Sequence, residues 1–183
     1  MSRKAIILTW TGFQDHEVVY PYYRLLEAGF KVDVVADQKD SRGRFFVILG
    51  LNMPCHVLID EFLEHHEKYH DGYDLLVLPG GVQALEKLRL VTGAKDFIRK
   101  WHLSGKVISS TCHGAQMLIS AGVAKGRRIS GYYSIEDDIT NAGAIYVKSP
   151  VVVDENVISS PHYDHMGDWM KATIEAYEKL NSK

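Results

Sequence analysis

The stretch AIILTWTGFQDHEVVYPYYRLLEAGFKVDVVA, residues 5–36, carries a strand, a helix and a second strand in quick succession. Ala5-Ile6-Ile7-Leu8 is a short continuous apolar run that ends at Thr9-Trp10-Thr11-Gly12, the pattern of a parallel strand buried on both faces. From Asp15 to Ala28 the apolar residues Val18, Val19, Tyr22, Leu25 and Leu26 recur at helical spacing. Asp15 is placed to cap the amino end and Gly29 to stop the carboxyl end. Lys31-Val32-Asp33-Val34-Val35-Ala36 supplies the second strand. A strand, a helix and a strand joined by short turns imply a right-handed parallel crossover, so the fold class is α/β.

Working outward, the same grammar repeats. Asp74-Leu75-Leu76-Val77-Leu78 reads as a buried strand stopped by Pro79-Gly80-Gly81. Residues 91–104 read as a helix with Phe97, Ile98 and Trp101 on one side, ended by Gly105. Lys106 to Thr111 is a further strand, and Ala115 to Ala121 a helix closed by Gly122. Two later apolar runs, Ala144-Ile145-Tyr146-Val147 and Val151-Val152-Val153, are separated by Pro150, which favours an edge or a turn. A last amphipathic helix spans Asp168 to Leu180. Residues 37–60, broken by Gly43, Gly50 and Pro54 around Phe45-Phe46-Val47-Ile48-Leu49, suit a hairpin or a small side sheet. The expected architecture is a three-layer sandwich with a mostly parallel central sheet, flavodoxin-like, forming one domain over residues 1–183.

Composition narrows the function classes. The chain has 183 residues, 46% of them hydrophobic and 24% charged, which suits an ordinary packed core. Its 21 basic and 23 acidic residues leave a net charge of -2 and form no basic block, so no nucleic-acid partner is expected. No apolar run approaches a membrane span, and Met1-Ser2-Arg3-Lys4 precedes only four apolar residues, so the expectation is a cytoplasmic protein with no membrane partner. The two cysteines, Cys55 and Cys112, are expected to remain thiols there. Glu64-His65-His66-Glu67-Lys68-Tyr69-His70 has the composition of a metal cluster but not its spacing. A solvated charged helix with His66 and His70 on one face is the expectation, with no metal and no other cofactor.

Ser109-Ser110-Thr111-Cys112-His113-Gly114-Ala115-Gln116 holds the strongest chemical signal. A nucleophile between a buried strand and a helix, flanked by small residues, reads as a nucleophile elbow at Cys112. Such a turn lifts the side chain above the carboxyl edge of the sheet and strains the backbone. The following helix terminus is expected to favour a thiolate and to lower the thiol's pKa. The bland alternative, a small buried core thiol, is the commoner fate of a cysteine but lacks this context. Pro79-Gly80-Gly81 fits two roles equally: an ordinary turn, or a backbone amide donor which, with that of His113, receives a developing oxyanion.

Leu78-Pro79-Gly80-Gly81, Glu86-Lys87-Leu88-Arg89-Leu90, Thr111 to Gly122, Glu136-Asp137-Asp138 and Asn141-Ala142-Gly143 together resemble the ThiJ/PfpI family of the class I glutamine amidotransferase-like superfamily. The likeness covers nearly the whole chain. Glu17-Val18-Val19-Tyr20-Pro21-Tyr22-Tyr23-Arg24-Leu25 draws it toward the intracellular peptidase branch. The resemblance implies that Glu17 is the carboxylic acid bonded to the nucleophilic sulfur, that His113 is the adjacent base or orienter, and that Tyr132 lines the pocket. It implies that Glu86 reaches His113 from a neighbouring subunit, which makes the chain a dimer or hexamer.

Two departures bear on substrate. Gln14 stands where peptidase-like relatives often carry a second acid, and it cannot titrate. Pro161-His162-Tyr163-Asp164-His165 replaces an arginine and a proline-x-acid pattern, leaving His162 and His165 as titratable replacements or plain surface residues. The reading is therefore a cysteine-dependent enzyme on small reactive carbonyls, glyoxalase III-like or protein deglycase-like. A cysteine peptidase, a hydratase-type lyase, and a redox sensor or stress chaperone acting through Cys112 oxidation stand as alternatives.

Overall fold

The computed structural model describes residues 3–39 and 50–182, so Phe45–Leu49 lies outside the described residues. The opening unit consists of β1 (Arg3–Leu8), α1 (Asp15–Glu27) and β2 (Phe30–Ala36), with β1 and β2 parallel and Ile7 opposite Val34. Ala5 to Leu8 are completely buried, which is why the run shows no polar alternation. Gly29 ends α1 in the left-handed region at φ 81°, as its position suggests. The amino-terminal cap differs from the expectation. Gln14, with φ -80° and ψ 119°, is the cap, and Asp15 is the first helical residue. The Asp15 carboxylate instead accepts a hydrogen bond from the Leu51 amide at 3.2 Å, tying the helix to a distant loop.

The chain continues through β3 (Val57–Leu58), α2 (Ile59–Glu64), α3 (His66–Gly72), β4 (Leu75–Leu78), α4 (Val82–Leu88), α5 (Thr92–Leu103) and β5 (Val107–Thr111). A 3-10 turn at Cys112–Gly114 leads into α6 (Ala115–Ser120), followed by β6 (Arg128–Ile129), a 3-10 turn at Tyr133–Ile135, α7 (Glu136–Asn141), β7 (Ile145–Tyr146), β8 (Val152–Asp154) and β9 (Val157–Ser160). A 3-10 turn at Tyr163–His165 opens α8 (Met166–Asn181). The main sheet runs β3-β2-β1-β4-β5-β9-β8, with every pairing parallel except β8 to β9. Pro150 precedes β8, the antiparallel edge strand.

Residues 57–58 correct one expectation: they extend the main sheet beside β2 rather than building a side sheet. The small separate sheet lies elsewhere, as the parallel pair β6 and β7. The histidine-rich stretch is also not a uniformly solvated helix. His66 is exposed, whereas His70 is buried and meets Phe97 and Trp101 edge-on at 6.3 and 5.9 Å. Apolar surface from α5 covers that ring, and burial of the Trp101 indole is completed by its N–H donating to the Val107 carbonyl at 3.0 Å.

α1 and α8 pack against each other, while α5 packs against β5, α3 and α6. From β1 the chain first winds outward to β2 and β3, then returns to β4 on the other side of β1 and winds outward to β5. That reversal between β1 and β4 is a topological switch point, and right-handed crossovers in opposite directions put helices on both faces. A crevice therefore opens beyond the carboxyl ends of β1, β4 and β5. Those ends carry Glu17, Gly80 with Gly81, and Cys112.

Candidate active site

Cys112 stands at φ 55°, a left-handed conformation that a side chain other than glycine adopts only under local constraint. Three contacts impose it. The Cys112 carbonyl accepts from the Tyr132 amide at 3.2 Å, and Gly114 lies so close to β4 that a methyl there would meet the Leu78 carbonyl oxygen at 2.1 Å. Gly80 is equally confined: a methyl on it would sit 2.5 Å from Glu17 Oε2 and 2.9 Å from Cys112 Cβ. The elbow is thus wedged between two glycine backbones, and the sulfur is turned into a cavity of about 440 Å³.

Glu17 projects from the first turn of α1 into the same crevice and is wholly buried. Its Oε2 accepts the Gly80 N–H at 2.6 Å. Among the described residues its Oε1 finds no nitrogen or oxygen donor, and the Cys112 thiol also hydrogen-bonds this carboxyl. Burial pushes the Glu17 pKa up from 4.5 to about 7, against the opposing pull of the Gly80 amide and the thiol. The carboxyl therefore both gives and takes a proton near neutral pH.

The thiol does not behave as the sequence suggested. Burial first, and the Glu17 charge second, push the Cys112 pKa well above the ordinary thiol range, although the His113 and Gly81 amides hydrogen-bond the sulfur and pull the other way. The 3-10 turn and the six-residue α6 offer too short a dipole to offset the loss of water. Cys112 and Glu17 consequently titrate as a pair. With the proton on Glu17, the charge that opposes the thiolate is gone and the two amide donors remain.

His113 places Nδ1 3.3 Å from the sulfur. Burial lowers its pKa, partly opposed by the Asp138 carboxylate, so the imidazole is neutral at pH 7 and able to accept a proton. Gly81, at φ 106°, packs against the Gly12 to Gln14 loop and aims its amide at the sulfur. Gln14 and Tyr132 line the cavity, and the Gln14 amide nitrogen lies 3.3 Å from His16 Nδ1.

Two residues singled out from sequence stand apart. His162 does not line this cavity. Its ring stacks 5.8 Å behind Tyr132, and it lines an adjoining cavity of about 360 Å³ with Lys148 and His165. Glu86 is exposed on α4 in a third cavity with Arg89 and Ser120, which Cys112 does not line. Tyr163, Gln83 and Ser134 also line the Cys112 cavity, which no motif in the sequence signals. Tyr163 sits in the segment noted as divergent, but only the fold of β9 into the sheet brings it over the elbow. Among the described residues no group of three or more histidine, cysteine or acidic side chains is arranged to hold a metal, and no helix is long and apolar enough to cross a membrane.

A parallel α/β sheet with a strained cysteine after one strand, a buried glutamate after another and paired backbone amides between them defines a class of cysteine-centred proteins. The DJ-1/PfpI family model matches residues 3–176, and the chain belongs to that family. Deglycase PfpI of Pyrococcus furiosus is 40% identical over 172 residues, covering 94% of this chain and 98% of that protein. Protein/nucleic acid deglycase 2 of Escherichia coli is 33% identical over 160 residues, covering 85% and 86%. Among solved structures, a two-domain protein of Anabaena variabilis with DJ-1/ThiJ/PfpI-like and ferritin-like domains superposes with a TM-score of 0.85 at 27% identity. That match covers 98% of this chain but only 48% of the larger one. Schizosaccharomyces pombe DJ-1 gives 0.82 at 19% identity over 98% and 97%, a likeness of fold.

Proposed function

We propose that the protein is a cysteine-dependent enzyme acting on small reactive carbonyls, α-oxoaldehydes or their adducts with protein side chains, in the manner of a deglycase. The observation that carries this is a carboxyl of pKa about 7 hydrogen-bonded to a thiol that two amides also face. The thiol proton passes to the Glu17 carboxylate as sulfur bonds to the aldehyde carbon, and the carbonyl electron pair becomes an oxyanion received by the Gly81 and His113 amides. Protonation gives a hemithioacetal. Glu17 or His113 then removes the proton from the former aldehyde carbon and returns one to the neighbouring carbon, leaving a thioester. Water hydrolyses it to a 2-hydroxy acid and frees the thiol, a redox-neutral sequence that consumes one water. Gln14 and Tyr132 line the cavity around this exchange, and the Gly80 amide, committed to Glu17 Oε2, holds the carboxyl in place.

The relatives named as deglycases support this reading, and the 40% identity over nearly the whole chain makes the transfer more than a likeness of fold. Glu86 is assigned to His113 of a second copy, so the active form is a homo-oligomer, a dimer or hexamer, in the cytoplasm. Dilution should then lower specific activity, and a fully active monomer in sedimentation would remove Glu86 from the site.

The test compares wild type with Cys112→Ser and Glu17→Gln on methylglyoxal, a peptide amide and peroxide. Saturable lactate formation lost in both variants is expected. Hydrolysis of the peptide amide alone would make the chain a peptidase. A peroxide-driven mass gain on Cys112 without turnover of either substrate would make it a sensor.

A further inference from the structure

Three rings that line the Cys112 cavity, those of His113, Tyr132 and Tyr163, belong to a continuous run of aromatic rings drawn from four places in the chain. It begins at His113, beside the nucleophile. Tyr132 lies tilted against it at 4.7 Å and 30°, His162 is stacked 5.8 Å from Tyr132 at 21°, Tyr163 is tilted 3.8 Å from His162 at 38°, and His16, next to Glu17, is stacked 5.0 Å from Tyr163 at 22°. The run thus spans from the residue beside the sulfur to the residue beside the carboxyl. Tyr132 and Tyr163 contribute directly to the cavity lining.

The rings are held in place. Tyr132 Oη donates to Tyr133 Oη at 2.7 Å, and His162 Nδ1 accepts the Asp164 backbone N–H at 3.3 Å. A wall of fixed rings loses little conformational entropy on meeting a ligand. The cavity, at about 440 Å³, is also far roomier than a three-carbon oxoaldehyde needs.

We propose that this run of rings is a subsite for an aryl group carried next to the electrophilic carbon, so that the enzyme favours aryl α-oxoaldehydes over alkyl ones. The proposal rests on the carbonyl-addition reading above and specifies its substrate class. Sulfur attached to the aldehyde carbon leaves the substituent on the neighbouring carbon to settle against the wall, beside His113 and Tyr132. Arene rings attract one another in both offset-stacked and edge-to-face arrangements, so an incoming aryl group gains from the wall whichever aspect the tyrosines present. A saturated ring of the same size buries comparable apolar area without that gain. The reaction is unchanged: an aryl oxoaldehyde and water yield an aryl 2-hydroxy acid.

The experiment measures initial kcat/KM for phenylglyoxal, cyclohexylglyoxal and methylglyoxal with wild type, Tyr163→Leu and Tyr163→Phe. Phenylglyoxal should exceed cyclohexylglyoxal by about fivefold in wild type, in keeping with one aromatic pair. Tyr163→Leu should bring that ratio toward unity, and Tyr163→Phe should retain it. Equal rates for the two ring substrates in wild type, or an unchanged ratio in Tyr163→Leu, would overturn the subsite. Calorimetric binding of unreactive acetophenone and cyclohexyl methyl ketone to wild type separates this from the chemistry. Tighter binding of acetophenone upholds the subsite even if no oxoaldehyde is turned over, an outcome that would sink only the carbonyl-addition reading; equal binding overturns the subsite.

Discussion

The chain's two thiols sit in opposite surroundings. Cys55, half-buried before β3, has its sulfur 3.1 Å from the Val57 carbonyl oxygen and 3.8 Å from that of Ala36. Cys112 faces the amide N–H groups of Gly81 and His113 and a carboxyl. Burial raises both pKa values. Carbonyl oxygens accept a hydrogen bond only from a protonated thiol, so deprotonation of Cys55 destroys its contacts. Amide donors await an anion, and in the proposed mechanism Glu17 takes the proton. A raised thiol pKa is therefore not the mark of an inert cysteine when donors and a base surround the sulfur.

The comparison is broken or sharpened by a graded series. Cys112→Ser should lower oxoaldehyde turnover by on the order of 10⁴-fold, since the covalent step is lost. Glu17→Gln should lower it by about 10² to 10³-fold, the usual reach of a positioned proton-transfer group. The same substitution tests linkage. The Glu17 carboxyl binds its proton more tightly in the fold than in the unfolded chain, so its stabilisation is complete below pH 4.5 and lost as pH rises through about 7. Urea unfolding of wild type should lose about 3 kcal/mol across that window, and Glu17→Gln should lose none of it. Gly80→Ala forces a methyl to 2.5 Å from Glu17 Oε2 and should cost roughly 2 kcal/mol of stability and about tenfold in kcat. Cys55→Ala should leave kcat/KM within about twofold and cost on the order of 1 kcal/mol.

Much of this is legible in the sequence alone. Continuous apolar runs such as Ala5–Leu8 and Leu75–Leu78 declare strands buried on both faces, and Gly29 and Gly122 mark helix ends because only a left-handed residue closes them cheaply. The elbow at Cys112 was legible from small residues between a strand and a helix. What stayed hidden depended on distance in three dimensions. The Asp15 carboxylate was drawn to Leu51, His70 was covered by α5, and Tyr163 was carried to the cavity by the sheet order. The thiol's pKa lies opposite to the expectation because a helix terminus is visible in sequence, whereas the desolvation and the buried Glu17 charge beside the sulfur appear only on folding.

The pH dependence of iodoacetamide alkylation at each cysteine, followed by mass spectrometry in wild type and Glu17→Gln, tests most directly whether Glu17 takes the Cys112 proton. In wild type the Cys112 rate should rise with a midpoint near the Glu17 pKa of about 7. In Glu17→Gln that rise should move above the ordinary thiol range, where Cys55 titrates in both proteins. Matching profiles for the two wild-type thiols, or a Cys112 profile indifferent to Glu17→Gln, would contradict the shared proton.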